Sequence, residues 1–172
     1  MMRLIFFFFL FFILLNKSWP LDIPVNITGV IIIPPCEINN GNPINVDFGN
    51  IRATELDNIE HIKTVKFPVY CPYHQGSAYV KITGNNINGR DNVLSTNING
   101  LGIELYQGET TAIPLVLGGG SSGNGFEVTD AFSDKNIDRF SFTITAKVYK
   151  DKDVIINSGE FYATALIDIV YL

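Results

Sequence analysis

Short runs in which apolar and polar residues alternate recur along the chain from Asp22 onward, and no window of that part shows a 3.6-residue period. The runs "DIPVNITGVIII", "INVDF", "KTVKFPVYC", "AYVKITG", "LGIELYQ", "AIPLVLG" and "RFSFTITAKVYK" predict strands, and Gly, Asn, Asp and Pro punctuate the gaps between them. In the longest run, Phe140, Phe142, Ile144, Ala146 and Val148 share a face opposed by Ser141, Thr143, Thr145, Lys147 and Tyr149, so one side reads as buried and the other as wet. Seven or so such strands predict an all-β antiparallel sandwich of immunoglobulin-like type.

The two ends of this pattern raise a pairing problem. In the last segment, "GEFYATALIDIVYL", the residues Phe161, Ala163, Ala165, Ile167, Ile169 and Tyr171 alternate with Tyr162, Thr164, Leu166, Asp168 and Val170. The first set needs a cover, and no later segment is there to pair with the strand. Near the start, Ile23, Val25, Ile27, Gly29, Ile31 and Ile33 alternate with Pro24, Asn26, Thr28, Val30 and Ile32, and Pro34 and Pro35 end the run. Burying five such aliphatic side chains is worth on the order of 8 to 15 kcal/mol gross, comparable to the net stability of a domain. This segment is either the first strand of its own sandwich or a strand lent to another sheet by β-augmentation, and pattern alone does not choose.

The apolar run Leu4 to Leu15 behind Arg3 is too short to span a bilayer and reads as a secretory signal, with cleavage placed after Leu21. Removing it leaves 10 basic against 17 acidic residues, a formal charge of −7, which argues against nucleic acid or anionic membrane as partners. It also takes six of the 13 Phe, so the core of the remaining chain of about 150 residues rests on Ile, Val, Leu and a few Phe. Export favours a disulfide between Cys36 and Cys71, worth roughly 3 to 4 kcal/mol in the chain-entropy model. The alternative is zinc, with Cys71 and His74 at C-x-x-H spacing and Cys36 and His61 completing four ligands; the absence of a second paired motif weighs against it, and both histidines read as surface residues. No nucleophile-elbow motif occurs, and Asp130, Asp134 and Asp138 read as solvated turn residues, so no enzyme, cofactor or small-molecule substrate is expected. The Gly-rich stretch at 118–125 lacks the Lys and the helix of a phosphate-binding loop and reads as a flexible connection.

Several pieces together resemble a family. An alternating N-terminal segment with a central Gly29 runs into "IPPCEINNG" and "VDFGNI". After it come "CPY", "VKITGN", "NVLSTNI", "LGIELYQG", "PLVLGGG" and "GNGFEVT", then a last strand with Gly159 fourteenth from its end and Tyr171 penultimate. Over Asp22 to Leu172 the chain resembles a pilin subunit of chaperone-usher fimbriae, in particular the minor tip pilins that join an adhesin to the fibrillum.

The resemblance implies an incomplete immunoglobulin-like sandwich that lacks its final strand and is completed in trans. It implies a signal peptide at 1–21, a donor-strand extension at 22–34 and a pilin domain at 35–172. Ile23, Val25, Ile27, Gly29, Ile31 and Ile33 would fill a neighbour's groove. Gly159, Phe161, Ala163, Ala165, Ile167, Ile169, Tyr171 and Leu172 would line this chain's own groove and meet a periplasmic chaperone. Further partners implied are the outer-membrane usher, the adhesin and adjacent pilins, with the product at the cell-surface fimbria. Two other readings are a fibrillum shaft pilin and a self-complete, lectin-like receptor-binding domain with a site near Tyr73 and His74 or the 118–125 loop.

Overall fold

The computed structural model describes residues 21–56, 60–87 and 89–172, so the signal-peptide segment lies outside the described residues except for Leu21. The chain divides into two units at Ile32–Ile33. In the first, Leu21 to Ile32 forms no regular element, and its apolar side chains are exposed, Ile27 at 91% and Ile31 at 97%. The strand expected there does not form, because an extended segment without a ladder partner has no hydrogen bonds to define it.

Among the described residues, the second unit contains eight strands: β1 Glu37–Ile38, β2 Ile62–Tyr70, β3 Ala78–Thr83, β4 Val93–Ser95, β5 Leu101–Gln107, β6 Phe126–Glu127, β7 Arg139–Lys150 and β8 Leu166–Tyr171. They make a five-stranded sheet in the order β1-β2-β7-β5-β4 and a three-stranded sheet in the order β6-β3-β8. Every pairing is antiparallel. The described residues contain no α-helix, only two short 3-10 turns at Asn39–Gly41 and Ala53–Glu55.

The twelve-residue β7 is central because it can pair on both sides, with β2 from Ile62↔Lys147 to Tyr70↔Arg139 and with β5 from Leu101↔Lys150 to Gln107↔Ile144. Its inward row meets β2 through the edge-to-face pair Phe67 and Phe142, with centroids 5.3 Å apart. Val80 and Ile82 of β3 and Ile169 and Tyr171 of β8 close the core from the other sheet. The opposite face of β7 is not wholly wet: Thr143 and Thr145 are buried. The turn at Gly108 covers them, where Thr145 Oγ1 donates to the Gly108 carbonyl at 2.8 Å and Gly108 N–H donates to Thr143. A threonine can be dry when its hydroxyl has a partner, which alternation by itself does not reveal.

Two further expected strands are absent among the described residues. "INVDF" finds no ladder partner. "AIPLVLG" buries Leu115 and Leu117, but it makes only isolated pairings, Tyr106↔Pro114 and Ile82↔Gly118, as it passes from one sheet to the other. Pro114, with no N–H to donate, suits a crossing segment better than a ladder. The 118–125 stretch is a compact turn closed by Gly125 N–H to the Gly119 carbonyl.

Cys36 and Cys71 form a disulfide that extends the β1–β2 register one pair beyond Glu37↔Tyr70, with Cα atoms 4.3 Å apart. Both sulfurs are consumed, which removes the zinc alternative. His61 and His74 are half-buried rather than superficial, and the His61 carbonyl accepts from Val148 N–H at the end of β7. We expect that replacing Cys36 and Cys71 together by Ala lowers unfolding free energy by roughly 3 kcal/mol, read from chemical denaturation of the full chain; an unchanged midpoint would show the bridge to be dispensable.

Candidate functional site

β8 pairs on one side with β3, from Ala78↔Tyr171 to Thr83↔Leu166, and is the last strand in its sheet on the other side. The inward row of the terminal segment is therefore buried unequally. Ile169 and Tyr171 are fully covered, whereas Phe161, Ala163, Ala165 and Ile167 are half-buried against the core. The row Phe-Ala-Ala-Ile places two small side chains between two large ones along the open edge.

A second row comes from the segment read as the strand "INVDF". Ile44, Val46 and Phe48 are half-buried against the same core, although their backbone is in no strand. The rows meet where the rings of Phe48 and Phe161 lie 6.3 Å apart. Sequence reasoning read the alternation at 44–48 and assigned it a strand, but not a place beside the terminal segment. The signal was the same period of two, without a partner to show what it faced.

Residues 160–165 also lack β3 as a neighbour, because β3 ends at Thr83 and the chain then crosses to the other sheet. There Ser95 N–H donates to Asn85 at 2.8 Å and Asn86 bridges to Leu94. Gly84 makes the crossing possible, since a Cβ there would press on Leu94 Cδ2 at 2.6 Å and on the Thr164 carbonyl at 3.2 Å. Gly159, exposed and at φ 153°, begins the segment.

Tyr171 does not face outward. It is 1% exposed, its ring lies 6.5 Å from Phe140, and its hydroxyl donates to the Lys135 carbonyl at 3.0 Å. Leu172 continues the pairing with a reciprocal bond pair to Ser77, at 3.0 and 2.9 Å. Gly76, at φ 96°, allows this close approach, because a Cβ there would collide with the Leu172 carbonyl. Gly76 was not singled out from the sequence. In the first unit, a Cβ on Gly29 would meet nothing within 4 Å, so the fold of this chain gives no reason for glycine at that position.

A two-sheet antiparallel sandwich with one unpaired, half-covered edge, in a chain that also carries an exposed alternating segment, is the class of protein that the fold and the site define. A family model for fimbrial protein matches residues 25–171, and the chain belongs to that family. It is 44% identical over 151 residues to the fimbrial adapter PapF of Escherichia coli and, equally, to the minor fimbrial protein PrsF of the same organism. Each alignment covers 87% of this chain and 88% of the relative. Among solved structures, the P pilus adaptor subunit PapF matches with a TM-score of 0.58 and 38% identity, over 82% of this chain and 98% of that one. The P pilus rod subunit PapA matches in fold, with a TM-score of 0.63 and 22% identity over 81% of this chain and all of that one. The sandwich is thus immunoglobulin-like, as expected, and the family is a structural one rather than a family of enzymes.

Burial pushes the Tyr171 phenol above its ordinary value, and the Asp134 carboxylate adds to the shift. The folded state therefore holds this proton more tightly than the unfolded chain does. The associated stability is intact below about pH 10, the ordinary tyrosine value, and is lost as pH rises through the folded-state value. We expect Tyr171→Phe to cost about 1 kcal/mol near neutrality for the lost hydrogen bond. The gap to wild type should narrow in denaturation series carried above about pH 10. A constant gap across that range would show that the phenol does not titrate with folding.

Proposed function

We propose that this chain is a minor pilin of a chaperone-usher fimbria and that it serves as the adaptor joining the adhesin to the fibre by donor-strand exchange. As a fimbrial protein it is exported to the cell-surface fimbria. Residues 1–21 are its signal, 22–34 its donor extension and 35–172 the pilin domain. The observation that carries the proposal is the coexistence, in one chain, of an unpaired β8 edge over a half-buried row and an exposed alternating segment of matching period.

In the periplasm a chaperone strand lies along Phe161, Ala163, Ala165 and Ile167, with the Ile44, Val46 and Phe48 row as the opposite wall. Gly159 starts this groove. Ile169, Tyr171 and Leu172 end it, and the first two shape it from within. At the usher the extension of the next subunit replaces the chaperone. Reciprocally, Ile23, Val25, Ile27, Ile31 and Ile33 occupy the groove of the adhesin's pilin domain, where Gly29 admits close backbone approach. The open glycine is then explained by the partner's backbone rather than by its own.

An exposed sheet edge above apolar side chains aggregates unless it is covered, so a chaperone is a physical requirement of this subunit. A donor that packs better than the chaperone strand drives the exchange without an external energy source. The adaptor role rests on the relatives, one a fimbrial adapter and one a P pilus adaptor subunit. A shaft pilin would share the same groove and extension. A self-complete receptor-binding domain would need β8 paired on both sides, whereas among the described residues its one ladder partner is β3.

The decisive experiment compares thermal unfolding of oxidised Pro35–Leu172 with the same polypeptide carrying Asp22–Ile33 after Leu172 on a flexible linker. Poor folding rescued by the appended strand is expected; cooperative unfolding of the first, unimproved in the second, would mean that the sandwich is already complete. We further expect Ile27→Asp and Gly29→Trp to leave the chaperone complex intact and to abolish attachment to the adhesin in a reconstituted exchange assay. Equal loss of chaperone binding in both variants would contradict the donor assignment.

A further inference from the structure

The acceptor segment has an open edge on one side and, beyond Thr83, no β3 on the other. Backbone hydrogen bonds for residues 160–162 are supplied by one residue, Asn97, in the turn between β4 and β5 of the opposite sheet. Its Nδ2 donates to the Glu160 carbonyl at 3.0 Å, its Oδ1 accepts from Tyr162 N–H at 2.8 Å, and its own N–H donates to the Tyr162 carbonyl at 3.3 Å. Both backbone groups of Tyr162 are thereby satisfied, as they would be opposite a residue in a ladder.

The turn that holds Asn97 is itself fixed. Thr96 Oγ1 donates toward the Ile98 and Leu101 carbonyls and accepts from Ile98 N–H, and Thr96 N–H donates to Leu101. Gly100 lies close enough to Val154 that a Cβ would overlap it. Alternation then sends Phe161, between the two clamped residues, inward to Phe48.

We propose that Asn97 is a positioning residue that substitutes for a missing strand and keeps the Phe161 end of the acceptor segment extended while its edge is vacant. This inference rests on the donor-strand reading above. An incoming strand then meets a template already in β conformation, and less ordering remains to be done on binding. Without the clamp, residues 159–162 would have to be straightened by the donor itself.

The test uses the full chain bound to its periplasmic chaperone, with a synthetic peptide copying Asp22–Ile33 as the donor probe. Asn97→Ala should speed hydrogen exchange at the Tyr162 amide by about tenfold or more and slow peptide uptake by about fivefold. Asn99→Ala, in the same turn and touching neither carbonyl, should change neither. Unchanged Tyr162 exchange in Asn97→Ala, or faster exchange with unchanged uptake, would overturn the role of Asn97 while leaving the groove intact. If wild type takes up no peptide, the groove reading falls and this inference with it. Should Asn97→Ala fail to fold, Asn97→Asp keeps the acceptor for Tyr162 N–H; protection of that amide with intermediate uptake is expected, and wild-type uptake would refute the proposal.

Discussion

A strand at the rim of a sheet leaves alternate N–H and C=O groups with nothing but water to bond, and it leaves the side chains beneath covered from one direction only. In this molecule that condition falls on Phe161 to Ile167, directly before residues that are fully enclosed. The rest of the second unit can be understood from it. Strands β2, β7 and β5 make a wide, well-paired sheet that keeps its shape without help from the open side. Ile169, Tyr171 and the Leu172–Ser77 bonds hold the far end of the same strand firmly. A vacant edge persists only because the frame on either side of it is over-determined.

The division between firm and open parts follows side-chain size as much as hydrogen bonding. Where the terminal row carries Ile169 and Tyr171 the two sheets close on each other. Where it carries Ala163 and Ala165 there is too little volume to do so. Two alanines in an otherwise large apolar row look like weak packing in an isolated domain. In the donor-strand reading proposed above, they leave the space that another chain's side chains fill.

Much of the sandwich was legible from alternation. The boundaries of β7 were read correctly, β2, β3 and β5 fell where their patterns lay, and the pairing problem at the two ends pointed to the open edge. What remained hidden had identifiable causes. Thr143 and Thr145 look like surface residues because polarity reveals neither the Gly108 turn that bonds the Thr143 carbonyl nor the partner that the Thr145 hydroxyl finds there. The runs at 44–48 and 112–118 alternate and are partly buried, yet neither joins a ladder, since period two reports a covered face and not a neighbour. Tyr171, expected among the groove residues, is 1% exposed and donates to the Lys135 carbonyl, an anchoring that alternation does not reveal. Asn97 gave no signal at all, because a lone asparagine in a turn has an ordinary local explanation. Its contacts with Glu160 and Tyr162 span more than sixty residues.

The disulfide takes on a different meaning if the chain is one link in a fibre under tension. Force applied through the extension reaches the sandwich at Cys36, two residues after Pro34. Without the bridge it would fall first on β1, whose two pairs with β2 would peel apart one after the other. The Cys36–Cys71 bond bypasses β1 and delivers the load covalently to the end of β2, which is joined to β7 by nine register pairs. The bridge then works as a mechanical shunt: it routes the pull around a two-residue strand and spreads it over the longest seam among the described strands.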